Sequence, residues 1–309
     1  GFDPSATKQW DNDRVWDEAP SDPLASGSQF RNPPVSNTVV GRRVVSVFGD
    51  RELPEVVAVA TSGRTVARNE FPLPPNINET PDVVPLRFPG TSFAAPQVSA
   101  VAAMLMETSP PLRVWPEAVK AIIMASAVNP IPQTNGPSRT IDMQTKTGRF
   151  YGQDRKTGAG GVWAAGATGL AKGSRGRYYT GVISPQSNGF FRETFVFPTC
   201  RDRMRIVVSY SVSYGCNFCF DDLNKVGLAE PGVGVVRART VMAVDSFANT
   251  RVAISRSLDN NYQIVDFATP SGPVVNVDFR GVSSKAEYYG IAMFCYDVDT
   301  SGLPVVWPQ

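Results

Sequence analysis

The sequence of 309 residues predicts an α/β segment built on a parallel sheet, followed by an all-β sandwich. Three observations predict it. Val39 to Phe48 and Val56 to Ala60 are short β-branched runs with little alternation, the pattern of strands buried on both faces of a parallel sheet. Two helical patterns follow, the first from Ser92 to about Glu107 and the second from Pro116 to Ala127. Beyond residue 175 the chain breaks into short strand-like segments separated by turn residues, the spacing of a sandwich and compatible with a jelly roll.

In chain order, residues 1–38 read as an extended arm rich in Pro, Asp, Asn and Ser, with Trp10, Trp16 and Phe30 as isolated apolar groups. Such aromatics are either incidental to a tail or anchors on a partner surface. Residues 39–175 form the α/β segment. Its first helix opens at Ser92, carries Pro96 in what the pattern makes its first turn, and stops at Ser109-Pro110-Pro111. Its second opens on Pro116-Glu117, repeats apolar residues at Val119, Ile122 and Ile123, and is stopped by Asn129-Pro130-Ile131-Pro132. Lys120 sits in ordinary surface patterning on that helix. From there to about Lys172 the sequence reads as Gly-rich and irregular, with a tight backbone feature at Gly158-Ala159-Gly160-Gly161. Residues 176–309 form the sandwich, with strands expected near 177–183, 190–197, 205–212, 235–243, 252–255, 262–267, 274–279 and 288–296.

An apolar fraction of 42% with 19% charged residues describes a chain able to bury a core. A net charge of +2 gives no bulk field that would draw nucleic acid or an anionic membrane. No apolar stretch reaches the roughly 18 residues that a membrane span needs. The start at Gly1 reads as a processed N-terminus. The four cysteines, Cys200, Cys216, Cys219 and Cys295, allow three full pairings, and disulfides in an oxidising or secreted compartment are the favoured reading over a four-thiolate zinc site.

The chemistry concentrates at Gly90-Thr91-Ser92-Phe93-Ala94-Ala95-Pro96. A serine hydroxyl attacks a carbonyl when a base takes its proton and nearby donors hold the oxyanion. Ser92 opens a helix, where free backbone N–H groups and the macrodipole favour a developing negative charge, and Gly90 lets backbone approach a substrate. Taken by itself, a serine before an apolar run is more simply a helix cap. Gly90-Thr91-Ser92-x-Ala94-x-Pro96 resembles the nucleophile motif of the subtilases, the subtilisin-like serine peptidases. Leu53-Pro54-Glu55-Val56-Val57-Ala58, Thr80-Pro81-Asp82-Val83-Val84-Pro85, the two helices and Gly158-Ala159-Gly160 follow in that family's order across about residues 40–170. The resemblance implies that residues 39–175 are the C-terminal part of a subtilisin-like catalytic domain. It also implies a serine endopeptidase acting on protein or peptide substrates, with Ser92 as nucleophile, Gly90 and Thr91 at the substrate, and no cofactor required for the chemistry. The family's oxyanion asparagine aligns with Asp50, whose charge must be neutralised before it can serve an oxyanion.

The chain contains no histidine, and the family's aspartate and histidine blocks precede the region present here. Three readings follow. A companion chain supplies both residues; or the protein is a pseudoprotease that binds without hydrolysing; or acids such as Glu18 and Asp22 serve as in the sedolisins. The first is favoured, because a parallel sheet lacking its first strands would leave edges and apolar surface for a partner to cover. In the sandwich, Asp221, Asp222, Asp259 and Asn260 offer oxygen ligands suited to a structural calcium, although such clusters also simply build turns. Asn78-Glu79-Thr80 fits a glycosylation acceptor.

Overall fold

The sandwich strands carry continuous apolar runs, Arg-Ile-Val-Val-Ser-Tyr at 205–210 and Gly-Ile-Ala-Met-Phe-Cys-Tyr at 290–296, where a half-exposed strand would alternate. A computed structural model describes residues 55–58, 91–128, 159–211, 239–255, 261–282 and 286–297, and it gives the reason for the runs. The strands are β1 (Gly176–Ile183), β2 (Phe190–Pro198), β3 (Arg203–Tyr210), β4 (Arg239–Ser246), β5 (Arg251–Ser255), β6 (Tyr262–Ala268), β7 (Val274–Val282) and β8 (Glu287–Tyr296). They form two four-stranded sheets of order β1-β8-β3-β6 and β2-β7-β4-β5, with every neighbouring pair antiparallel. On one face, Ile206, Val208, Ile291 and Met293 meet Phe197, Val277 and Phe279 of the second sheet. On the other face, Val207, Ala292 and Phe294 pack among helical residues. The β1-β8-β3-β6 sheet is therefore a middle layer, apolar on both sides.

The covering layer comes from α1 (Thr91–Thr108), a 3₁₀ turn (Pro110–Val114), α2 (Pro116–Ser126) and α3 (Ala164–Ala171). In α2, eight residues, Ala118 to Ser126 except Lys120, are buried, and the helix lies on β8 and β3. The approach is close enough to require a glycine: a Cβ on Gly290 would stand 2.2 Å from the Ala118 Cα. Helix α3 corrects the expectation of irregular chain up to Lys172. Its glycines depress helix propensity, yet Gly166 makes room for the Trp163 ring, from which a Cβ would be 2.2 Å away. Trp163 in turn meets Phe294 edge-on at 5.8 Å and lies under the Arg175 guanidinium at 4.9 Å. Tertiary packing outweighs propensity here.

The parallel sheet expected around Val56 to Ala60 is not present among the described residues beyond one contact. Val57 pairs in parallel with Gly161, donating to the Gly160 carbonyl at 2.9 Å and accepting from Val162 at 2.8 Å. Val128 pairs with Gly161 from the other side. That bridge ends α2 at Ser126, before the prolines, by drawing Ala127 and Val128 into extended chain. The eight expected strands match the eight observed to within four residues at their ends, and 235–238 lie outside the described residues.

Arg205 holds the layers together. Its side chain is 4% exposed and donates from Nε to Asp266 Oδ2 at 2.9 Å, while Nη1 donates to the Ala127 and Ala159 carbonyls. The Asp266 side chain is completely buried and also accepts from Arg203 Nη2 at 3.0 Å and from the Tyr296 hydroxyl at 2.7 Å. Burial, and then the charge of Asp266, raise the Tyr296 hydroxyl well above its ordinary value. Cys200 and Cys295 form a disulfide that crosses from the end of β2 to β8, removing two of the thiolates that a zinc site would need. Cys216 and Cys219 lie outside the described residues.

Three variants probe this construction in denaturant unfolding. Arg205→Ala strands the Asp266 carboxylate with one arginine and is expected to cost about 3–5 kcal/mol, whereas Arg205→Met with Asp266→Leu is expected to recover most of that loss. Gly290→Ala is expected to cost about 1–3 kcal/mol, because backbone rather than a flexible side chain must move.

Candidate functional site

Helix α1 is read from a segment with no charged residue before Glu107, dominated by Ala, Val, Met and Leu. Thr91 and Ser92 form its first turn, one residue earlier than the sequence pattern predicts. The first four N–H groups of a helix have no intrahelical acceptor, so the backbone at Ser92 retains free donors. The earlier start moves Pro96 out of the first turn and into the second. Lacking an amide hydrogen, Pro96 cannot donate to the Ser92 carbonyl, so the ladder is interrupted one turn beyond the serine. Thr91 and Ser92 are described as backbone only, and Gly90 and Asp50 lie outside the described residues. So do Asn78 to Thr80, Glu18, Asp22 and the calcium candidates Asp221, Asp222, Asp259 and Asn260.

One side of α1 is anchored. Ala94, Val101 and Leu105 are buried, and beyond its C-terminal end the Ser109 hydroxyl lies 2.7 Å from the Tyr178 hydroxyl of β1. The opposite side carries Ala95, Pro96, Ser99, Ala100 and Ala103, all exposed, and Met104, 44% exposed. Along this outward face the helix carries no charge until Glu107, near its C-terminal end, so its first three turns are weakly patterned for water.

Between α1 and α2 lies an apolar cavity of ≈ 270 Å³, walled by Val98, Pro116, Val119 and Ile123, with Glu55 and Lys120 also lining it. Val98 follows Ser92 by six residues, about 9 Å along the axis at 1.5 Å per residue. The cavity therefore opens on the helix that carries the serine, and its walls suit an apolar group.

Lys120 departs from the surface role its sequence context predicts. Its ammonium donates to Glu55 Oε1 at 3.0 Å and Asn261 Oδ1 at 2.8 Å, and lies 5.1 Å from the centre of the Tyr262 ring. It joins the chain before Val57, helix α2 and strand β6. A lysine held by a carboxylate, an amide oxygen and a ring is a structural cation, not a general base. Sequence reasoning missed this because its partners stand 65 and 141 residues away and no local pattern marks them.

Residues 51–160 match a family model described as the subtilase family, over roughly a third of the chain. The matched stretch contains Gly90, Thr91, Ser92, α1 and α2; Asp50 falls just before it and all eight strands fall after it. At the level of that match, the segment is similar to a family of serine peptidases. No curated protein matches the chain.

Pro96 provides a test of the local geometry. Pro96→Ala restores a donor for the Ser92 carbonyl at an exposed helix position, so thermal unfolding should show a gain of about 1–3 kcal/mol. An unchanged or lower midpoint would mean that the proline is required by the packing around it.

Proposed function

We propose that this chain is the serine-bearing part of a subtilisin-like serine endopeptidase, with Ser92 as nucleophile and the triad aspartate and histidine contributed by a companion chain. The observation that carries the reading is a subtilase match across residues 51–160 in a chain with no histidine. In this mechanism the companion's imidazole takes the Ser92 proton as Oγ bonds to the scissile carbonyl carbon. Free N–H groups at the start of α1 face the developing oxyanion, and collapse expels the amine, protonated by the same imidazole. Water then releases the acyl group from Ser92 by the same steps. Gly90 and Thr91 line the substrate backbone, a protein or peptide.

The outward side of α1, without charge from Ala95 to Met104, supports a covering partner, because its apolar atoms gain by leaving water. The disulfide, and the absence among the described residues of any helix long and apolar enough to cross a membrane, fit a secreted protein or another oxidising compartment. Residues 176–309 are proposed to be a jelly-roll domain, a reading supported by the strand orders β1-β8-β3-β6 and β2-β7-β4-β5. The arm at 1–38, the catalytic portion at 39–175 and a structural calcium at Asp221, Asp222, Asp259 and Asn260 complete the proposal.

The second reading is a pseudoprotease that retains the scaffold for binding. Asp50 favours it, since an ionised carboxylate in the oxyanion position opposes the charge that forms there.

Fluorophosphonate labelling of the complex as it co-purifies separates the two. The peptidase reading expects covalent labelling of Ser92 in the complex and none on the chain alone, with hydrolysis reduced by several orders of magnitude in Ser92→Ala. An unlabelled Ser92 in a complex that contains the histidine-bearing chain would establish the pseudoprotease.

A further inference from the structure

Strand β2 carries an acid on the wrong side. Its inward positions are Phe191, Glu193, Phe195 and Phe197; the outward neighbour Arg192 is 66% exposed and pairs with Asp278 at 2.7 Å. Glu193 thus turns toward the apolar space between the sheets, opposite Phe279 in the β2–β7 register. Its surroundings are aromatic. Phe279 lies 5.3 Å from Phe191 and 6.1 Å from Tyr289, and Phe195 lies 5.8 Å from Tyr289 and stacks on Tyr179 at 5.9 Å.

This carboxylate has no hydrogen-bond or ion-pair partner among the described residues. Burial raises the pKa of Glu193, and burial followed by the Glu193 charge pushes the Tyr289 hydroxyl up to about 12. A partly desolvated acid without a counter-charge is an unfavourable arrangement that a cation would relieve. The place is also accessible. β1 and β2 are each the end strand of their sheet, Glu193 and Phe195 are half-buried, and Tyr179 is 38% exposed. Across the opening, Gly181 leaves room for Tyr289: a Cβ there would stand 2.5 Å from the tyrosine hydroxyl.

We propose that Glu193, with the rings of Tyr179, Phe195 and Tyr289, forms a site for an organic cation, the guanidinium or ammonium of a basic peptide side chain. Aromatic faces attract such cations through their quadrupoles, and the carboxylate supplies the charge. Calcium is a poor fit, since it takes six to eight oxygen ligands and the site offers one carboxylate and a tyrosine hydroxyl. The site lies in the β-region, outside the stretch that resembles subtilases, and does not depend on Ser92 being active.

The test titrates the full chain with Nα-acetyl-arginine amide and Nα-acetyl-lysine amide, with Nα-acetyl-norleucine amide as the uncharged control, following aromatic resonances by NMR. At least one cation is expected to shift the resonances of Tyr179 and Phe195 saturably, while norleucine does not. Glu193→Gln, which keeps the side-chain volume, is expected to weaken binding roughly tenfold, and Tyr179→Leu several-fold. Absence of saturable binding by the unaltered chain, or equal affinity in the folded Glu193→Gln or Tyr179→Leu variant, would overturn the proposal. So would concentration-dependent self-association of Glu193→Gln in the absence of any cation binding by the unaltered chain, which would make Glu193 a charge that guards an edge strand.

Discussion

The ion pair between Arg205 and Asp266 is the interaction on which the layered arrangement rests. A guanidinium taken out of water needs partners for its donors, and Arg205 finds them in two directions: Nε sideways to a buried carboxylate on β6, and Nη1 upward to the carbonyls of Ala127 and Ala159. Those carbonyls belong to the extended chain after α2 and to the turn before the Val57–Gly161 bridge. One side chain therefore fixes the β-sheet, the end of a helix and the short parallel pairing relative to each other. Arg203 and Tyr296 complete the set by occupying the remaining acceptor capacity of Asp266.

Around that pin the packing is unforgiving. Gly290 and Gly166 are each present because a neighbour, the Ala118 backbone in one case and the Trp163 ring in the other, occupies the space a side chain would take. Lys120 adds a second tie, reaching both the segment before Val57 and the start of β6. The result is a rigid platform beneath α1. The serine-bearing turn begins a helix whose anchored side meets this platform and whose outward side carries small residues and no charge before Glu107. In the proposed role of nucleophile, Ser92 would take its geometry from that scaffold rather than from a loop of its own.

The sandwich strands were legible because turn residues punctuate short β-branched and aromatic runs, a purely local signal. Helices α1 and α2 were legible for the same kind of reason, prolines and an acid marking their ends. Helix α3 was not, because Gly166 and Gly169 argue against a helix until Trp163 is seen lying across the first turn. The role of Lys120 was hidden because a lysine among apolar helix positions looks the same whether it faces water or two distant oxygens. The position of Pro96 within the helix shifted by one residue, from the first turn into the second, because helix starts depend on where backbone donors are left, which composition does not encode.

The sequence by itself determined that Ser92 lies in the opening turn of a helix, that the chain has no histidine, and that a β-rich region follows an α/β segment. All three follow from residue identity and local periodicity, which are properties of the chain as a string. Only the tertiary structure decided that one sheet is buried on both faces, that Arg205 joins it to the helical layer, and that Glu193 falls half-buried on the inward, aromatic side of β2. Those depend on which strands become neighbours, and strand order is set by packing between segments tens of residues apart.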